Sequence, residues 1–211
     1  MTSPVKPLLI TDCDEVLLHM VRHFRDWLDE AHDIDFNIGA GDFRSSLTRR
    51  DGGPPPDQDA MWGLLGGFFP AEMNRQTLVP HAAEALAMLA ERADIVVLTN
   101  LQDHCQQARI DQLARFGIKH RVECNQGGKG DPVARLVAEH GDPVTVFVDD
   151  LAVHHESVAR AAPGVHRLHM ISDPELAAAM PPAPAAHARI DDWRLAGDWI
   201  MARFAEGRAA A

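Results

Sequence analysis

The sequence predicts an α/β protein: a parallel sheet with helices on both faces, opened after its first strand by a small, all-helical insertion. Three observations predict it. Short apolar runs at Leu8–Ile10, Ile95–Leu98 and Val144–Val148, with a weaker one at Val165–Met170, have the length of buried strands. Helical patterns lie between them, and short buried strands alternating with helices imply a parallel sheet covered on both sides. From Leu17 to Leu78 no strand pattern appears, and that stretch far exceeds the dozen or so residues a crossover helix needs.

Each element follows from its residues. The opening "LLITDCDEVLL" is an apolar run that ends in Asp12 and Asp14. Leu17, Met20, Val21, Phe24, Trp27, Leu28 and Ala31 recur at helical spacing, which predicts a long amphipathic helix. After the irregular "RRDGGPPPDQD", Met61, Leu64, Leu65 and Phe68 predict a second helix. The insertion therefore covers 17–78, and the core covers 1–16 and 79–211. In the core, Ala82 to Arg92 is helical, "IVVLTN" is a strand ending in Thr99 and Asn100, and Ile110, Leu113 and Phe116 mark another helix. Lys129 lies in "GGKGDP", where Pro132 suits the first turn of the helix carrying Val133, Leu136 and Val137. "VTVFVDD" is a strand ending in Asp149 and Asp150. The stretch Ala177–Ala188 reads as a surface connection. "DDWRLAGDWIMARF" reads as a final helix, with Trp193 and Trp199 as packing residues.

Bulk properties narrow the function. The 211 residues are 46% hydrophobic and 24% charged, enough for one sizeable core plus a small accessory unit. A formal net charge of −11 argues against a nucleic-acid binder, which presents a basic face. Three cysteines, an odd number in no metal-type spacing, point to a reducing compartment. Neither a signal-peptide core nor an apolar run of about 18 residues is present, so the expectation is a cytoplasmic protein with no membrane partner.

Four polar features end or join the strand-like runs: Asp12 with Asp14, Thr99 with Asn100, Lys129, and Asp149 with Asp150. Open α/β sheets bind ligands at the carboxyl ends of their strands, so these distant positions can converge. Clustered carboxylates repel one another. A hard divalent cation such as Mg²⁺ relieves this, because it takes oxygen ligands and tolerates substrate phosphate. A lysine adds positive charge, and a threonine hydroxyl can donate to a phosphate oxygen. A carboxylate can attack phosphorus once that charge is neutralised.

With these residues the sequence resembles the haloacid dehalogenase (HAD) superfamily. "TDCDEV" resembles its Asp-x-Asp signature, "VVLTN" its second motif, "GGKGDP" its lysine motif and "VFVDD" its acidic fourth motif, all in order. "LVPHAAEAL" is similar to the return from a helical cap into the core. The resemblance implies a Rossmann-like core and a Mg²⁺-dependent phosphatase acting on a small phosphorylated metabolite. It implies Asp12 as nucleophile forming an aspartyl-phosphate, and Asp14 as the acid and then base. Thr99 and the backbone near Asn100 would hold the phosphate, and Lys129 would brace it. Asp12, the carbonyl of Asp14 and Asp150 would hold the metal, with Asp149 acting through water, and His19 would approach the substrate. Three departures stand out: Glu15 where many relatives have glycine, Gly130 rather than proline after Lys129, and His154 where an acid or amide is usual.

Other readings compete. Asp12 and Asp14, or Asp149 and Asp150, could merely cap helices. Lys129 could be a solvated loop residue, His19 and His23 ordinary helix residues, and Cys13 a packed thiol. Arg44, Arg49 and Arg50 could meet an anionic substrate or stay solvated. A sugar-phosphate mutase of the same superfamily is the enzymatic alternative, and a non-catalytic phosphate-binding pseudoenzyme the other. A haloacid dehalogenase fits less well, since Asp14 supplies an acid that halide departure does not need.

Overall fold

The computed structural model describes residues 5–37 and 46–210, so Arg44 lies outside the described residues. Six strands form one wholly parallel sheet. They are β1 Leu8–Thr11, β6 Asp94–Asn100, β7 Arg121–Asn125, β8 Thr145–Asp149, β9 His166–His169 and β10 Ala188–Arg189. Their spatial order is β10–β9–β8–β1–β6–β7. Strand β1 lies between β6 and β8, with Ile10 opposite Val96 on one side and Phe147 on the other. The chain passes from β1 to β6 and β7 on one side and then returns to β8 on the other, so the switch point of the sheet lies at the carboxyl end of β1.

The sheet separates two apolar layers. Leu9, Val97, Val146 and Val148 point to one face and pack with Leu86 of α3 (Ala82–Ala90), Leu113 of α4 (Gln106–Arg115), and Trp193 and Ile200 of α8 (Trp193–Glu206). Leu8, Ile10, Val96, Leu98 and Phe147 point to the other, against Val133 and Leu136 of α5 (Gly130–Glu139) and Val158 of α6 (Ala152–Ala161). Alternation along β1 thus buries both faces, which explains why its sequence shows no polar period. Trp193 is a packing residue as expected: it is fully buried, and its Nε1 donates to the Val16 carbonyl at 2.8 Å.

The insertion has an apolar cluster of its own. Phe24, Trp27 and Leu28 of α1 (Val21–His32) meet Phe68 of α2 (Gln58–Glu72), together with Ile34, Phe36 and Leu47. The expectation of an all-helical insertion needs one amendment. Two short antiparallel ladders accompany the helices: β3 (Ile34–Phe36) with β4 (Leu47–Arg49), and β2 (Leu18–His19) with β5 (Thr77–Leu78). Runs of two or three residues carry no legible period. The ladder of β2 and β5 also shortens the first helix, which begins at Val21 rather than Leu17. Strand β7 escaped the sequence reading because its residues are mostly polar and half-buried, as an edge strand permits. Strand β10, at the other edge, falls at the end of the stretch read as a surface connection. The short helix α7 (Pro174–Ala179) precedes it.

Gly130 has a packing reason. A Cβ there would lie 2.5 Å from the Ser157 carbonyl oxygen and 2.7 Å from its hydroxyl, and the Gly130 N–H donates to that hydroxyl at 2.9 Å. Proline would add a Cβ and remove the donor. Gly63, by contrast, is an exposed position of α2 where a Cβ meets nothing within 4 Å. Gly130→Ala is expected to lower unfolding free energy by about 1–3 kcal/mol through overpacking, whereas Gly63→Ala should raise it by about 0.4–1 kcal/mol. Urea midpoints measure both, and an unchanged midpoint for Gly130→Ala would refute the close approach of α5 and α6.

Candidate active site at the carboxyl end of the sheet

The three central strands deliver the polar side chains. The chain leaves β1 at Asp12, whose N–H donates to the Val148 carbonyl of β8 at 2.8 Å and so fixes it beside the end of that strand. Asp149 is the last residue of β8, with Asp150 next, and Thr99 lies one residue before the end of β6. Asp12, Asp149 and Asp150 are all buried, and each offers an oxygen within 4.8 Å of the others. Lys129 immediately precedes α5 and is fully buried. Its Nζ lies 2.8 Å from Asp12 Oδ1 and 2.7 Å from Asp149 Oδ2. The structure therefore brings together Asp12, Lys129, Asp149 and Asp150.

Burial and charge set the protonation of this group. Burial pushes Asp12 up to about 7, with Lys129 opposing and Asp149 and Asp14 adding to the rise. Burial, then Asp149 and Asp12, raise Asp150 well above the carboxylate range. At Asp149 burial is outweighed by Lys129 and, less strongly, by His154, so its carboxyl titrates below the usual range. Burial opposes the charge of Lys129, yet Asp12 and Asp149 hold its titration above the ordinary lysine value. Fully ionised, three carboxylates against one ammonium would carry an excess of two negative charges, and burial answers it by pushing Asp12 and Asp150 towards the neutral form. This all-oxygen donor set fits a hard divalent cation, which would balance that excess. Asp12 Oδ1 is already taken by Lys129 and by the Cys13 N–H at 2.7 Å, so Oδ2 is the oxygen left for chemistry.

The remaining expected residues are placed as follows. Thr99 is fully buried, and its Oγ1 finds no hydrogen-bond partner. A buried, unpaired hydroxyl is costly unless an acceptor arrives to meet it. The Asn100 side chain donates to the Gly127 carbonyl at 2.9 Å and accepts from Asn125 at 2.8 Å, bracing the loop that carries Lys129. His154 lies 3.3 Å from Asn100 Nδ2, so it keeps a hydrogen-bonding role at its position. His19 is buried with its Nδ1 3.3 Å from Ser172 Oγ, and burial, then Arg22, push it down to about 4. Arg50 pairs with Asp29 and Asp35 on the insertion surface.

Glu15 takes the role that glycine would. Its φ of 58° lies in the left-handed region, and its Oε1 accepts from the N–H groups of Met20 and Val21 at 2.7 and 2.6 Å. The carboxylate thus meets the first turn of α1 and ties the insertion to the loop after β1. Its Oε2 is buried without a partner, and burial pushes the group up to about 7.

Sequence reasoning missed three residues around Asp14. Arg109, fully buried on α4, and Gln76, just before β5, bond its carboxylate, and Gln112, also fully buried on α4, meets both of them in turn. A signal was present: positions 109, 112, 113 and 116 form one helical stripe, and an arginine on such a stripe beside Leu113 must find a buried partner.

No protein-family model matches the chain, and no curated protein matches it. Solved structures do. A HAD-like hydrolase from Streptococcus pneumoniae is 12% identical, with 93% of this chain and 98% of that chain covered at a TM-score of 0.62. A HAD family hydrolase from Deinococcus radiodurans, with bound phosphate and sodium, is 14% identical over 95% of this chain and 97% of that one, at 0.64. The HAD-hydrolase YfnB from Bacillus subtilis, bound to magnesium, is 15% identical over 92% and 98%, also at 0.64. The strand order, the site at the switch point and these matches converge: the chain has the α/β fold of the haloacid dehalogenase superfamily.

Proposed function

We propose that the chain is a Mg²⁺-dependent phosphatase that hydrolyses a small phosphorylated metabolite through an aspartyl-phosphate on Asp12. The observation that carries this reading is the buried group of Asp12, Asp149 and Asp150 with Lys129 bridging two of them. Asp12, Asp149, Asp150 and the carbonyl of Asp14 would hold the metal. When bound, Mg²⁺ supplies the positive charge that lets two anions approach each other. Support for the substrate class comes from the orphaned Thr99 hydroxyl, which suits a phosphate oxygen, and from the modest size of the insertion. Three free cysteines and the absence, among described residues, of a helix long and apolar enough to cross a membrane support a cytoplasmic location.

In this reading Asp12 Oδ2 forms a bond to phosphorus while the bond to the leaving oxygen breaks. Asp14 gives its proton to that oxygen. Water then attacks the same phosphorus, Asp14 takes a proton from it, and the bond to Asp12 breaks to release phosphate. Lys129 holds the Asp12 carboxylate in place throughout, and Thr99 orients the phosphoryl group.

Two measurements test this. Purified protein should release p-nitrophenol from p-nitrophenyl phosphate only with Mg²⁺, and Asp12→Asn should cut the rate by on the order of 10³-fold or more, as loss of a nucleophile does. Metal-independent release, or full activity of the variant, would refute the reading. Isomerised product from a sugar phosphate would favour the mutase, and an inert wild-type protein the pseudoenzyme. Proton linkage provides the second measurement. In metal-free protein Asp12 and Glu15 titrate near 7, above their ordinary values of 3.8 and 4.5. Their contribution to stability is therefore full at low pH and is lost as pH rises through about 7. Metal binding needs the carboxylates ionised, so the gain in Tm from Mg²⁺ over chelator should be small near pH 5 and grow towards about pH 8. A gain that shrinks with rising pH would contradict the assigned ligands.

A further inference from the structure

Asp14 does not stand free in the pocket. One nitrogen of Arg109, Nη2, lies 3.0 Å from each of its carboxylate oxygens, and Gln76 Nε2 donates to Oδ1 at 2.8 Å. The other terminal nitrogen of Arg109 donates to Gln76 Oε1 at 3.0 Å and to Gln112 Oε1 at 3.1 Å. Gln112 in turn donates to the Met73 carbonyl and, at 3.2 Å, to Gln76 Oε1. The guanidinium also lies 5.7 Å from the centre of the Phe69 ring. Met73 and Gln76 belong to the segment that returns from the insertion to the core, and Arg109 and Gln112 belong to the core helix α4.

Stability alone does not account for this arrangement. Arg109 is fully buried, its Nε has no hydrogen-bond partner, and it occupies a stripe where an apolar side chain would pack. Replacing buried ion pairs by apolar residues of similar volume is often neutral or stabilising. Three donor contacts from two side chains define the orientation of the Asp14 carboxylate, whereas an acid without them samples several rotamers. Proton transfer to a leaving group requires that single orientation.

We infer that Arg109, together with Gln76, is a positioning residue for Asp14, holding its carboxylate for proton transfer and linking that orientation to the seating of the return segment on α4. The inference rests on the phosphatase reading above. It makes transfer of the proton, rather than attack by Asp12, depend on Arg109. Sensitivity to the leaving group separates the two. The nitrophenolate ion departs readily without a proton, whereas phenol, with a pKa like that of tyrosine at about 10, needs one more.

The test compares kcat/KM for p-nitrophenyl phosphate and phenyl phosphate, with Mg²⁺, in the full-length protein. General acid catalysis contributes about 10²–10⁴-fold, so Arg109→Gln should lower the phenyl phosphate value at least about tenfold and the p-nitrophenyl value by less than about threefold. In an Asp14→Asn background the same substitution should add no further selectivity, because its effect passes through Asp14. Gln76→Leu, which leaves both charged groups in place, should show the same selectivity at smaller size and serves if Arg109→Gln fails to fold by circular dichroism. Equal losses on both substrates, or an additive loss in the Asp14→Asn background, would overturn the role of Arg109 while leaving the phosphatase reading intact. A wild-type protein inert to both substrates would overturn the two together.

Discussion

A single buried ammonium holds this site together. Lys129 lies between Asp12 and Asp149 with no exposure to water, and it offsets part of a charge that would otherwise force those acids apart or neutral. Burial raises the titration of all three carboxylates, and the lysine opposes it to a different extent at each. Asp149, fully engaged, is held ionised, while burial, then Asp149 and Asp12, push Asp150 towards the neutral form against the pull of Lys129. Removing one partner of such a buried pair costs about 3–5 kcal/mol, because the other charge is left stranded. Structure elsewhere serves to put the lysine there. The loop before α5 is braced by Asn100 and Asn125, and Gly130 allows α5 to approach Ser157.

The insertion joins the core through charge as well as through chain connectivity. Arg22 of α1 pairs with Asp173 at 2.8 Å, and Arg25 pairs with Glu175 of α7 at 3.1 Å. Both pairs are partly exposed, so each is worth at most about 1 kcal/mol. Glu15 is the stronger tie. A non-glycine residue in the left-handed region costs about 1–2 kcal/mol, and its carboxylate offsets this by meeting two otherwise free N–H groups of α1. A position where glycine would give freedom of movement instead anchors the insertion to the loop that carries Asp12 and Asp14. On the opposite side, Arg109 and Gln112 grip the return segment. Both strands of chain that cross between insertion and core are thus tethered beside the candidate acid.

How much of this was legible can be traced residue by residue. Buried central strands are readable because they are short, apolar and end in polar groups; β1, β6 and β8 meet that description, and β7 does not. Asp12, Thr99, Lys129, Asp149 and Asp150 could be singled out because each belongs to a local pattern at a strand end or in a glycine-rich loop. Arg109, Gln76 and Gln112 belong to no such pattern. Their meaning comes from Asp14, which lies 95 positions from Arg109 along the chain. The short ladders of the insertion were invisible for a related reason, since two or three paired residues show no period.

Residue order alone determined the alternation of strands and helices, the long insertion after the first strand, and the kinds of side chain that end each strand. Local hydrophobic periodicity and turn chemistry encode those features, and both act over a few residues. Only the tertiary structure decided which charges meet. It put Lys129 between Asp12 and Asp149, turned Glu15 onto α1, closed Arg109 on Asp14, and left the Thr99 hydroxyl unpaired. Those outcomes depend on distances of a few ångströms between elements far apart in the chain, set by how the helices pack on the sheet.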